Sequence, residues 1–205
     1  MEMHSDIYTG LRARLYALAA IARGLSFVYR KTLSLVSLKE GESLLDVGCG
    51  TGTLLIKIFQ KFGGGVNLFG IDGSPDMIAC AEENALCRDA RIKFKIAYAD
   101  DLPFSAETFA VVTSSLMAHH MPPAEKRKMV GEAWRILKPQ GVFIITDLGR
   151  PKTLFARAIA FFVRNHSYSR ESMNIIEEAL GQEGFSLETH LFQFGYIEHI
   201  VARKV

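Results

Sequence analysis

The stretch "LLDVGCGTGTLLIKIF", residues 44–59, decides the fold. An apolar run ends in Asp46. Glycines then alternate at Gly48, Gly50 and Gly52, with Cys49 and Thr51 between them, and apolar residues recur at helical spacing from Thr53 onward. Strand, bare loop and helix in that order form the ligand-holding turn of an open α/β sheet, where ligands sit beyond the carboxyl ends of the strands. Glycine removes the Cβ between backbone and ligand and permits left-handed φ. The helix beginning near Thr53 offers N–H groups to a carboxylate or phosphate. A bare strand-to-helix turn usually needs one glycine rather than three.

The pattern repeats outward from this point. "VNLFGID" reads as a second strand. "SPDMIACAEENAL" reads as a helix with Ser74 as N-cap and Pro75 at its first position. "IKFKIAYA" and "FAVVTSSL" read as strands, "PAEKRKMVGEAWRIL" as an amphipathic helix, and "GVFIITDL" as a nearly all-apolar strand of the kind buried on both faces. "RESMNIIEEALGQEG" reads as a helix with a glycine stop, and "FSLETHLFQF" and "YIEHIVARKV" as an antiparallel hairpin closing one sheet edge. The expected fold is an α/β three-layer, Rossmann-like sandwich with a mostly parallel seven-stranded sheet and a C-terminal antiparallel hairpin. Residues 1–40 read as an N-terminal helical cap, with Gly24 as a break. Residues 41–205 read as the ligand-binding domain, with 151–170 as an insertion on the substrate side.

The composition is that of a globular chain: 205 residues, 49% apolar, 22% charged and a net charge of +2. Such a balance exerts no bulk pull on nucleic acid. The apolar run Leu15–Ala22 is followed at once by Arg23 and preceded by Glu2 and Asp6, which argues against a signal peptide. Cys49, Cys80 and Cys87 are odd in number and lack metal-ligand spacing, so no metal site is expected and a reducing, cytoplasmic setting is.

The glycine spacing separates ligand classes. G-x-x-x-x-G-K-[ST] is absent, which excludes a phosphate-cradling P-loop. The dinucleotide pattern G-x-G-x-x-G fails because Thr53 stands where its third glycine belongs. Asp72, at the end of the second strand, is placed to accept hydrogen bonds from both ribose hydroxyls of a nucleoside.

Together "LLDVGCGTG", "GIDGSPDMI", "ADDLPF", "SSLMAHHMPP" and "WRILKPQGVFIITD" resemble class I S-adenosylmethionine-dependent methyltransferases. The likeness is narrowest to the small-molecule group that includes the ubiquinone and menaquinone biosynthesis enzymes, and it covers residues 44–147. It implies S-adenosylmethionine as cofactor. Gly48, Gly50 and Gly52, with Cys49 and Thr51, would line its methionine part, with Asp46 near the ammonium. Asp72 and Gly73 would hold the ribose, Met77 would pack on adenine, and Ala99 and Asp100 would border the adenine edge. Ser115 and Leu116 would close the site near the sulfonium, and Tyr16 resembles an N-terminal tyrosine that touches the cofactor.

The chain departs from the family pattern at three places. Tyr98 replaces the usual adenine-side acid, Ala110 replaces an aspartate, and Gln140 in Pro139-Gln140-Gly141 predicts a type I turn.

His119 and His120, just past the fourth strand, are the clustered bases nearest this site. One of them is either the general base for a protonated acceptor or a shaper of the loop before Pro122. The segments around Tyr16 and Phe161, apolar with arginines, predict a lid over a small, apolar substrate and transient contact with a membrane surface. Two rivals remain at this level: a nicotinamide-dependent reductase on the same sheet, and a non-catalytic cofactor-binding protein.

Overall fold

The computed structural model describes residues 25–149, 151 and 172–205. Its elements are α1 (Leu25–Leu35), β1 (Ser43–Val47), α2 (Thr53–Phe62), β2 (Asn67–Asp72), α3 (Pro75–Leu86), β3 (Ile92–Ile96), β4 (Phe109–Ser115), α4 (Pro123–Ile136), β5 (Leu137–Leu148), α5 (Ser172–Glu183), β6 (Phe185–Gln193) and β7 (Ile197–Lys204). The strands form one seven-stranded sheet in the order β3-β2-β1-β4-β5-β7-β6. The first five run parallel, and β7 runs antiparallel to both neighbours. The chain steps outward from β1 to β3 on one side and from β4 to β5 on the other. The switch point therefore lies between β1 and β4, at their carboxyl ends.

Successive residues of each central strand feed opposite layers, because side chains alternate across a sheet. Leu44, Val111 and Ile144 join Leu54, Leu55 and Ile58 of α2 on one face. Leu45, Val112 and Ile145 join Met129 and Ala133 of α4 and Ile176 and Leu180 of α5 on the other. Both faces are covered, which explains the continuous apolar runs. Phe109 is fully buried and meets Phe69 and Phe104 edge-on, with ring centroids 5.4 Å and 5.0 Å away. Each such pair contributes roughly 0.5–1.5 kcal/mol beyond its buried area.

The boundaries follow the expected signals. Gly63 ends α2 with φ 70°. The Ser74 hydroxyl caps α3 by accepting from the Met77 N–H at 3.3 Å, with Pro75 next in line. The three-residue β6–β7 loop holds Phe194 and Gly195 at φ 54° and 73°, and the Tyr196 N–H donates to the Gln193 carbonyl at 3.3 Å. The Pro139-Gln140 turn differs from expectation. Gln140 adopts φ 66°, the left-handed geometry of a type II turn's third residue, so a non-glycine residue holds the position where glycine is favoured.

Helix α1 packs on the sheet through buried Val28 and Thr32. The Thr32 and Thr146 hydroxyls are 2.9 Å apart, and Thr146 is 2.9 Å from His199 Nδ1. The His199 Nε2 atom lies 3.0 Å from Gln193 Oε1, and the Gln193 amide donates to the Phe27 carbonyl at 3.3 Å. This closed polar chain ties α1 to β5 and to the terminal hairpin. Burial, aided by the charge of Lys31, lowers the His199 pKa to about 4 and keeps its ring neutral. None of the described helices is long and apolar enough to cross a membrane.

Candidate active site

The site grows from the ends of β1 and β2. Asp46 is 2% exposed and stands beside Thr113 in the β1–β4 register. The Thr113 hydroxyl donates to Asp46 Oδ1 at 2.6 Å. Burial pushes the Asp46 carboxyl up to about 7, opposed by the Thr113 bond and reinforced by the charge of Asp72. An acid so poised ionises readily once a cation lies against it.

The glycine loop is held by β2. The N–H groups of Gly48 and Cys49 both donate to the Ile71 carbonyl, at 2.9 Å and 2.8 Å. The Gly50 N–H donates to Asp72 Oδ2 and the Ser74 N–H to Asp72 Oδ1, each at 2.9 Å. Asp72 thus clasps two loops, and each of its oxygens keeps acceptor capacity for a hydroxyl. Its pKa is raised, because burial outweighs these two bonds.

Gly48, Gly50 and Gly52 all adopt left-handed φ, of 72°, 53° and 74°. A Cβ on Gly48 would overlap Met117, and one on Gly52 would press on Phe94 at 3.1 Å and Ala81 at 3.2 Å. A Cβ on Gly50 would meet nothing within 4 Å, so Gly50 marks the loop's open side. Cys49 turns its thiol into the core with Leu54 and Leu55. Burial raises its pKa well above the ordinary value, which leaves an unreactive thiol. With its N–H already engaged, Cys49 lines the loop by its position rather than by its side chain. The Thr51 hydroxyl is spent locally, 3.2 Å from that of Thr53.

The other expected residues gather at the same end of the sheet. Gly73 lies under the Tyr98 ring, whose Cε1 would be 2.9 Å from an added Cβ. Met77 is buried in the first turn of α3. Ala99 and Asp100 follow β3, and Asp100 pairs with Lys128 at 3.5 Å. Ser115 ends β4 with a buried hydroxyl that has no hydrogen-bond partner. Leu116 turns left-handed at φ 57° while its N–H donates to the Thr146 carbonyl at 2.7 Å, which carries Met117 over Gly48. Tyr16 and residues 152–170 lie outside the described residues.

The two histidines separate. His119 sits on the short turn Ala118–His120. Its Nδ1 is 2.6 Å from Asp147 Oδ1, and its backbone N–H donates to Asp147 Oδ2 at 3.1 Å. The Leu148 N–H also donates to Asp147 Oδ1, at 2.6 Å. Asp147 is 1% exposed and the His119 side chain 10%. Burial pushes the Asp147 carboxyl up, but His119 and these donors outweigh it and hold the pKa below the ordinary value. A carboxylate accepting at Nδ1 assigns the proton to that nitrogen and leaves Nε2 as the acceptor of the neutral ring. The His120 ring lies 3.9 Å from that of His119, tilted 41°.

Thr113, Asp147 and Lys126 were not singled out from the sequence. Asp147 carries the signal shared by Asp46 and Asp72: an acid closing an apolar strand. Lys126 precedes Met129, Val130 and Ala133 at helical spacing, which places it on the apolar face of α4.

These features suit a cofactor that carries a cation, a ribose and a slender chain: a poised buried acid, a carboxylate between two loops, a glycine with open space before it, and an orphaned serine hydroxyl. Fold and site define a Rossmann-like, nucleoside-cofactor-binding protein.

A family model described as a methyltransferase domain matches residues 44–141. An uncharacterized methyltransferase of Synechocystis sp. is 30% identical over 174 residues, covering 82% of this chain and 78% of that relative. The arsenite methyltransferase of Halobacterium salinarum is 31% identical over 55% of this chain, which spans only 28% of that relative's length. A solved S-adenosylmethionine-dependent methyltransferase of Aquifex aeolicus shares the fold, with TM-score 0.69 and 21% identity over 86% of this chain and 89% of that one. The chain belongs to the methyltransferase family.

Proposed function

We propose that this methyltransferase acts on a small, apolar acceptor whose nucleophilic atom carries a proton, with His119 as the general base. The observation that carries this reading is the 2.6 Å contact between His119 Nδ1 and the buried carboxylate of Asp147. It orients the ring, selects the tautomer with Nε2 as acceptor, and stabilises the imidazolium formed when the proton arrives.

Bound S-adenosylmethionine supplies an electrophilic methyl on a cationic sulfur. The protein's share is position and proton transfer. Asp46 balances the cofactor's ammonium, and the Gly48–Gly52 loop accepts its slender methionine part. Asp72 meets the ribose hydroxyls, and Met77, Ala99 and Asp100 flank the base. Ser115 and Leu116 bring the end of β4 to the sulfur. His119 follows four residues after Ser115, on the turn leaving that strand. Transient contact with a membrane surface is the route to an apolar acceptor.

The test is turnover of His119→Ala and His120→Ala on an acceptor found by screening phenols, thiols, amines and carbon acids. Loss of kcat by about 10²–10⁴ in the His119 variant alone, with cofactor affinity retained, is the expected result. Undiminished turnover in the His119 variant would leave proximity as the whole mechanism.

A further inference from the structure

Residues 97–108 join β3 to β4 without a helix or strand of their own. The backbone groups of such a run must find partners elsewhere. Glu132 and Arg135, one turn apart in α4, supply them. The Leu102 N–H donates to Glu132 Oε2 at 2.8 Å. The Arg135 guanidinium donates to both Glu132 oxygens, from Nε and from Nη2, each at 2.7 Å. Its Nη1 donates to the Phe104 carbonyl at 2.7 Å and its Nη2 to the Leu102 carbonyl at 2.9 Å. One planar fork thus fixes a carboxylate and two carbonyls together, a geometry that a lysine ammonium does not reproduce. The Arg135 hydrogen bond holds the Glu132 carboxyl below its ordinary value.

The grip continues along the run. The Glu107 N–H donates to the Arg135 carbonyl at 3.1 Å, and the Thr108 N–H to the Ile136 carbonyl at 2.8 Å. Leu102 is buried, and Phe104 packs edge-on against Phe69 and Phe109. The other end of the run is fastened to the candidate site. The Ala97 N–H donates to the Asp72 carbonyl at 3.2 Å, the Asp101 N–H to the Tyr98 carbonyl at 3.3 Å, and the Tyr98 ring lies against Gly73. Ala99 and Asp100 stand half-buried at the tip between these two anchorages. The Lys128 ammonium lies 3.5 Å from Asp100, but its side chain is 65% exposed, and such surface pairs hold little. The shape of the tip is therefore set by its anchorages, and Glu132 with Arg135 makes the one on the α4 side.

We propose that the Glu132–Arg135 pair is a positioning device that makes the tip at Ala99 and Asp100 selective for a 6-aminopurine over a 6-oxopurine. The inference rests on the reading that this tip borders the cofactor's adenine. A 6-aminopurine donates from its amino group and accepts at N1, whereas a 6-oxopurine accepts at O6 and donates from N1. A polar edge held in one shape pairs with the first and is left mispaired by the second. An edge free to turn adapts to either. Glu132 and Arg135 act through the loop, not on the base.

The test is calorimetric titration with S-adenosylhomocysteine and S-inosylhomocysteine, which differ only at that edge of the purine. Wild type should favour the adenosyl ligand by about 10- to 100-fold, the scale of one mispaired hydrogen bond. Arg135→Met and Glu132→Ala should each reduce that preference by about tenfold, through lost adenosyl affinity, with inosyl affinity little changed. Glu132→Gln keeps an oxygen for the Leu102 N–H and should retain most of the preference. An unchanged preference in folded Arg135→Met and Glu132→Ala overturns the proposal. Equal loss of both ligands also overturns it, because a merely structural role would weaken the two alike. Should Arg135→Met not fold, Arg135→Lys decides: it keeps the charge but not the fork, so a wild-type preference there overturns the proposal. A wild type that binds both ligands equally overturns the proposal and leaves the cofactor site standing, whereas one that binds neither removes the site itself.

Discussion

Asp72 accepts the Gly50 N–H at 2.9 Å, so the carboxylate proposed to hold the ribose also holds the glycine loop that meets the rest of the cofactor. Ligand contact and loop geometry share one side chain. Asp72→Ala should lose charge-assisted bonds of roughly 1.5–3 kcal/mol each, lowering cofactor affinity by at least one to two powers of ten. Asp72→Asn, which keeps a carbonyl acceptor, should retain more of the fold's stability. Calorimetric titration of both folded variants with S-adenosylmethionine checks this, and unchanged affinity in Asp72→Ala would remove the role.

Asp46 predicts a proton-coupled affinity. Its carboxyl titrates at about 7 without ligand, so below that pH a cationic ammonium must first drive off a proton. Cofactor affinity should fall about tenfold per pH unit below the midpoint and level off above it. Binding at pH 6 should release a proton, measurable as a dependence of the calorimetric enthalpy on the buffer's ionisation heat. Ligand-free stability has the opposite sense. The folded state keeps a proton that the unfolded state, with the ordinary carboxyl value of 3.8, gives up, so stability falls as pH rises from about 4 to 7. Asp46→Asn should remove that slope and weaken cofactor binding at every pH.

Gly48 and Gly50 should respond differently to alanine. Both hold left-handed φ, which costs an L-residue about 1–2 kcal/mol. At Gly48 a methyl would also overlap Met117, with its Cβ only 2.8 Å away, adding roughly 1–3 kcal/mol of overpacking. Gly48→Ala should therefore melt at a lower temperature than Gly50→Ala and be partly rescued by Met117→Ala. Gly50→Ala should lose more affinity than stability, because its methyl enters open space on the ligand side. Equal melting temperatures for the two variants would contradict this division.

His199 adds an acid-sensitive term. Burial lowers its folded pKa to about 4, below the ordinary imidazole value of 6.5. The unfolded state therefore binds the extra proton first, and stability present above pH 6.5 drains away as pH falls toward 4. His199→Gln should flatten denaturant midpoints across that window relative to wild type.

The strand–helix alternation was legible because buried parallel strands and amphipathic helices carry opposite periodicities, and because Ser74, Pro75 and Gly63 punctuate them by local chemistry. The Gln140 turn was not: a single glutamine says little about a backbone so tight that a Cβ added at the next residue, Gly141, would lie 2.8 Å from the Lys138 carbonyl oxygen. Asp46, the glycines and Asp72 could be named as candidates because each stands at or just past the end of an apolar strand, β1 for the first two and β2 for Asp72. Choosing between His119 and His120 needed the end of β5, twenty-eight residues later in the chain, where Asp147 selects one ring. Lys126 was hidden in the charged string "EKRK", where only its helical spacing from Met129 and Ala133 distinguishes it from its solvated neighbours.

Strand β7 is an interior strand made late. It fills the place between β5 and β6, and every residue from Ile197 to Ala202 is buried. While the ribosome adds the residues between Leu148 and Ile197, the apolar edge of β5, with Phe143, Ile144 and Ile145, has no partner on that side. At about 5–20 residues per second, this edge stays open for several seconds, long enough for pairing with another nascent chain. Chains arrested before Ile197 should therefore aggregate or recruit chaperones, whereas chains released with β7 complete should close the sheet and escape.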